Sequence, residues 1–145
     1  MDMQTHTLEL EDSKNEPRSK LLTLISKGYL FLNLAVYFAF AVSFFIAPTT
    51  LANQIGFSIH STAALADFRA MYGGLCLGIG ILILLGILRQ KTRIAAIQIS
   101  VFTAGGLLLG RLVTLLLDGS GNEYIYISML TEVFGVALGF FLLRK

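Results

Sequence analysis

Long apolar runs separated by short polar links set the pattern of this chain. Four runs stand out, at about Tyr29–Ala47, Phe68–Leu88, Ile94–Leu117 and Tyr124–Leu143. Each is about 20 residues, the length a helix needs to cross the hydrocarbon layer of a bilayer. Inside that layer every backbone polar group must be satisfied within the segment, which a helix does by itself. The runs are continuously apolar and lack the alternation of a lipid-facing barrel strand. The pattern therefore predicts an all-α fold, an integral membrane bundle of four transmembrane helices forming one domain over residues 21–145.

Local signals refine the boundaries. Pro48 has no amide hydrogen to continue a helical ladder, so it ends the first helix. Ser61 or Thr62 is placed to cap the second. The stretch Leu51–Ile59 between them is modestly apolar and suits the membrane surface. Residues 1–20 are polar and mixed in charge, which predicts a flexible cytoplasmic tail. A cleaved signal peptide would have a shorter apolar core, whereas this first run is long and ends in Ala47-Pro48. Leu21–Lys27 extends the first helix toward the interface, with Lys27 reaching out to water.

Composition narrows the class further. Of 145 residues, 55% are hydrophobic and 14% charged, and the mean hydropathy is +0.75, which excludes a water-soluble globule. Cys76 is the lone cysteine, so there is no internal disulfide, and His6 and His60 are too few for a four-ligand zinc site. A net charge of +2 without a basic stripe speaks against nucleic-acid binding. No catalytic triad, metal set or phosphate loop can be assembled, so neither an enzyme nor a cofactor is expected.

The cations fix an orientation. Lys14, Arg18, Lys20 and Lys27 precede the first run, Arg89, Lys91 and Arg93 fill the second link, and Arg144 and Lys145 close the chain. Nine of the eleven Lys and Arg residues thus fall on one side, and the links at 48–67 and 118–123 hold none. The positive-inside rule places both termini in the cytoplasm. Tyr29 at the inner end, with Tyr124 and Tyr126 at the outer end, fits a thin interfacial aromatic belt.

The remaining charges lie inside the apolar runs. Arg111 stands seven residues before Asp118, and Glu132 eight after Tyr124, which places them about 10 and 12 Å inside adjoining helix ends. Matching depth on consecutive antiparallel helices predicts a salt bridge. Arg69 enters from the same side, one turn before Tyr72. Helical spacing then predicts a polar cluster of Arg69, Tyr72, Arg111, Asp118 and Glu132 in the outer half of the bundle. Buried pairs of this kind can simply fix helix register. Alternatively, ionisable groups within a membrane mark a site for a ligand, headgroup or proton.

Glycines supply a packing signal. Gly74 with Gly78, Gly106 with Gly110, and Gly135 with Gly139 form a small-xxx-small pair on each of three helices. Such pairs let helix backbones approach closely, within one bundle or between copies. Cys76 reads as a small packing residue, His60 as a loop polar group, and Asn33 as a donor across to a neighbouring helix.

The stretch Asp67-Phe68-Arg69-Ala70-Met71-Tyr72-Gly73-Gly74-Leu75, then Gly110-Arg111-Leu112, Asp118-Gly119, Glu132 and a terminal Leu-Leu-Arg-Lys, resembles a known family. It is a set of small four-helix bacterial membrane proteins known as a domain of unknown function, loosely similar to the DoxX-like proteins. The resemblance covers about residues 25–145. It implies the same four-helix fold, a multi-pass place in the bacterial inner membrane, and interest in Arg69, Tyr72, Gly73, Gly74, Arg111, Asp118 and Glu132. It implies no activity.

The functional expectation is a membrane protein that binds or moves a lipid or small amphipathic molecule at the polar cluster. Membrane lipids are then its partners, and the small bundle suggests a homo-oligomer, a dimer or trimer. The alternative is a structural protein of the cell envelope in which the buried charges only hold the helices together.

Overall fold

A computed structural model of the chain describes residues 19–144 in full and gives its first helix, α1, the bounds Asp2–Ile46. The tail expected at 1–20 lies, but for Ser19 and Lys20, outside the described residues. The other helices are α2 (Pro48–Gln54), α3 (Thr62–Phe68), α4 (Leu75–Leu88), α5 (Arg93–Asp118) and α6 (Glu123–Leu143). A π-helical turn, Arg69–Gly74, joins α3 to α4, and a 3₁₀ turn, Gln90–Thr92, leads into α5. Among the described residues there is no strand.

Among the described residues, four units are long and apolar enough to cross a membrane: Ser19–Ile46, Thr62–Leu88, Gln90–Asp118 and Glu123–Leu143. The protein is an all-α membrane protein, as the hydropathy pattern predicts. The spans begin earlier than the expected starts at 29, 68, 94 and 124. The apolar pattern marks where lipid contact is densest, whereas the helical ladder runs on through amphipathic flanks until a cap or proline stops it. The stops themselves follow local chemistry. α1 ends at Ile46, with Pro48 at the start of α2. The Ser61 hydroxyl accepts from the Ala64 amide at 3.1 Å and caps α3. Gly119, with φ of +96°, breaks α5 in a backbone region that residues with a Cβ seldom adopt. Asn122 Oδ1 accepts from Ile125 to start α6.

The spans pack in chain order, α1 on α4, α4 on α5 and α5 on α6, with α1 also touching α5 and α6. Two hydrophobic clusters hold them. At the end shared by the start of α1, the α4–α5 link and the end of α6, Tyr29, Leu30, Ile83, Ala96, Ile97, Val101 and Leu142 are buried together. At the opposite end, Phe44, Phe68 and Ala52 form an aromatic cluster sealed by α2. Within Leu51–Ile59, α2 folds back so that Ala52 is fully buried against the bundle, while residues 53–58 stay exposed.

Close helix approach comes at other places than most of the glycine pairs suggest. A Cβ on Gly86 would run into the Ala96 methyl, which fixes the α4–α5 crossing. A Cβ on Gly139 would meet Val101 and the Tyr29 hydroxyl, which fixes α6 against α5 and α1. Thr92 tightens the intervening turn by donating to the carbonyl oxygen of Leu85 at 2.8 Å. Of the six paired glycines, Gly139 alone lies in such a contact. At Gly78, Gly106, Gly110 and Gly135 a Cβ would meet open space, and at Gly74 just a carbonyl oxygen of its own turn. Spacing puts two glycines on one helical face but does not say which way that face turns.

Candidate functional site

Arg111 comes from the outer third of α5 and Glu132 from near the middle of α6. Consecutive antiparallel helices joined by the short 119–122 link bring the two to the same level. The Arg111 Nη1 donates to Glu132 Oε1 in a half-buried ion pair, the salt bridge the matching depths predict. Glu132 is the better covered partner, with 11% of its side chain exposed against 24% for Arg111. Its other oxygen, Oε2, is buried with no hydrogen-bond partner. An unmatched acceptor in a low-dielectric interior costs free energy on the order of 1–3 kcal/mol, more when charged.

The surroundings of that carboxylate draw on every spanning unit. The Tyr37 hydroxyl of α1 faces the Thr103 side chain of α5, and both Cys76 of α4 and Glu132 lie near enough to act on it electrostatically. Tyr37, Cys76 and Thr103 are all half-buried. Glu132 is nine residues into α6, about 14 Å at 1.5 Å per residue and so near the centre of a roughly 30 Å hydrocarbon layer. Tyr37, Cys76 and Thr103 sit near the middle of their own spans. Tyr37 is the group these share, beside the Thr103 side chain and with Cys76 and Glu132 within electrostatic reach, so that polar groups of all four spans meet through it.

The five residues expected to form one cluster divide into four places. Arg111 and Glu132 are joined. Tyr72 belongs to the aromatic cluster, stacked on Phe44 with ring centroids 5.1 Å apart and tilted against Phe68 at 4.5 Å. The π turn explains this: its extra residue per turn rotates Tyr72 onto α1 and buries Gly73 under the Phe45 ring, 3.4 Å from an added Cβ. Arg69 opens that turn, exposed and without an ion pair among the described residues. Asp118 ends α5, also exposed. Helical spacing assumed an unbroken α-helix from Phe68 onward, and the π turn shifts the face.

Tyr37 and Thr103 were not singled out from the sequence. The one signal available was that each is a hydroxyl inside an apolar run. Two further residues sit differently from expectation. Asn33 donates to the Tyr29 carbonyl of its own helix, at 2.9 Å, rather than to a neighbour. Tyr29 packs inside the bundle rather than on its outer surface. It is 5% exposed, and its hydroxyl donates to the Gly135 carbonyl at 3.1 Å. With α1 extended below it, Tyr29 lies two to three turns inside the span. Among the described residues, no group of three or more His, Cys, Asp or Glu could hold a metal ion.

Comparison with known proteins gives one match. The family described as "Domain of unknown function (DUF4345)" matches residues 25–143. No curated protein and no solved structure matches the chain.

Proposed function

The chain belongs to the DUF4345 family of unknown function, and from the site itself we propose that it binds a small amphipathic molecule or lipid within its bundle. The observation that carries this reading is the buried, unpartnered Glu132 Oε2 at mid-membrane level. Lipid tails offer it no donor, so a polar head bearing a hydroxyl, amide or ammonium group is the complement it calls for. Arg111, paired with Glu132, holds the carboxylate in place and balances its charge. Tyr37 and Thr103 supply hydroxyls to orient the head, and the apolar faces of the spans receive the tail. The sequence pointed instead to an anionic group held by Arg111 and Arg69. The pairing of Arg111 and the exposure of Arg69 favour a donor-bearing head.

In this reading the termini and the α4–α5 link face the cytoplasm, supported by the cation asymmetry. The resemblance implies a bacterial inner membrane. The open glycine faces at Gly106 and Gly110 are suited to a second copy. Movement of the ligand across the membrane is an extension of binding that the mid-membrane position would serve.

A second reading is favoured by the closed Arg111–Glu132 pair: the charges serve architecture alone. Native mass spectrometry of protein released from nanodiscs, formed with lipids of the expressing cell, separates the two. Ligand binding predicts a co-released small amphipathic mass on the wild type that is missing from folded Glu132→Gln. Equal spectra for both proteins would leave architecture as the role.

A further inference from the structure

A second polar site lies at the other end of the bundle. Between the start of α1, the α4–α5 link and the end of α6 is a cavity of about 390 Å³, within the range of small-molecule sites. Its floor is apolar, with Ile97 and Leu142 from the adjoining core. Its rim is polar, with Thr23, Gln90 and Arg93. The Arg93 Nε is buried with no hydrogen-bond partner, and Arg93 makes no ion pair among the described residues. Every described carboxylate (Asp67, Asp118, Glu123 and Glu132) belongs to the opposite end or to the middle of its span. Around the cavity the exposed Lys27, Arg89 and Lys91 add positive charge.

A guanidinium nitrogen held out of water without an acceptor, at the mouth of a pocket that is cationic above and greasy below, has a specific complement. It is an anionic oxygen group attached to an apolar body. We infer that this cavity binds the phosphate of an amphiphile, with Arg93 as the charged donor, Thr23 and Gln90 as neutral donors, and the acyl portion over Ile97 and Leu142. Arginine suits phosphate because its planar fork presents parallel donors. Basic pockets between transmembrane helices at a cytoplasmic face are where anionic headgroups are held. The site is separate from the Glu132 site in position and in charge, and it stands whether or not the proposed function does.

The test is thermal unfolding of the full chain in dodecyl maltoside with added dioleoyl phosphatidylglycerol, dioleoyl phosphatidylcholine or inorganic phosphate. Phosphatidylglycerol raises the midpoint of the wild type by mass action, and phosphatidylcholine, which has no net charge, does so much less. Arg93→Gln weakens the phosphatidylglycerol response about tenfold in concentration, as expected for one charge-assisted hydrogen bond. Thr23→Trp fills the cavity from the exposed side of α1 without touching the cation. It abolishes the response and serves as the test if Arg93→Gln does not fold. Arg111→Leu/Glu132→Leu keeps it. A matching rise with inorganic phosphate alone assigns the site to free phosphate rather than a lipid headgroup. Equal responses to the two lipids, or an undiminished response in either folded cavity variant, overturns the inference.

Discussion

The Tyr29 hydroxyl of α1 donates to the Gly135 carbonyl of α6 at 3.1 Å, joining two helices that are 106 residues apart in the chain and share few other contacts. A carbonyl inside a helix is ordinarily committed to its own ladder and shielded by side chains. Gly135 has none, so the phenol can reach it. The bond helps close the bundle at its least packed seam, where Gly139, one turn on, also lets Tyr29 lie against α6.

Removing that hydroxyl should loosen the seam modestly. Tyr29→Phe keeps the ring in the core and is expected to lower stability by about 0.6 kcal/mol, the average for hydrogen bonds between membrane helices, and by no more than about 1.7. Unfolding in mixed micelles checks it. A loss near zero would mean that water or lipid replaces the bond.

The glycines give a contrast within one chain. Gly86→Ala sets a methyl against Ala96 and Gly139→Ala sets one against Val101, so each should cost about 1–3 kcal/mol by overpacking. Gly106→Ala and Gly110→Ala face open space and should stay within about 0.5 kcal/mol in the monomer. If the second pair lowers the oligomeric mass in native gels instead, that face packs between copies.

Breaking the ion pair on one side leaves an uncompensated charge in a poor solvent. Arg111→Ala is expected to cost about 3–5 kcal/mol and to reduce the yield of folded protein. Arg111→Leu/Glu132→Leu removes both charges and should recover most of that loss, since paired buried charges gain little over apolar residues of similar volume. The double variant then separates roles: folded but without ligand under the binding reading, folded with its function intact under the architectural one.

Topology has its own check. In a Cys76→Ser background, Gln90→Cys and Ser120→Cys should react with a membrane-impermeant maleimide from opposite faces, Gln90→Cys from the cytoplasmic one. Cytoplasmic labelling at position 120 would reverse the orientation drawn from the cations.

Hydropathy by itself determined the four spans and their antiparallel order, because the cost of exposing backbone or charge to hydrocarbon acts residue by residue along the chain. Depth arithmetic was enough to pair Arg111 with Glu132, since two helices joined by a short link must run side by side in register. Rotation about each helix axis was not legible in the same way. The direction a face turns depends on which small side chains meet across a crossing, as Gly86 and Ala96 do, and on local departures such as the π turn. That turn carried Tyr72 to Phe44 and left Arg69 outside. Tyr37 comes to lie beside Thr103 and within reach of Glu132, and Arg93 borders a cavity, through packing among helices distant in sequence, and that packing exists only once all four spans are assembled.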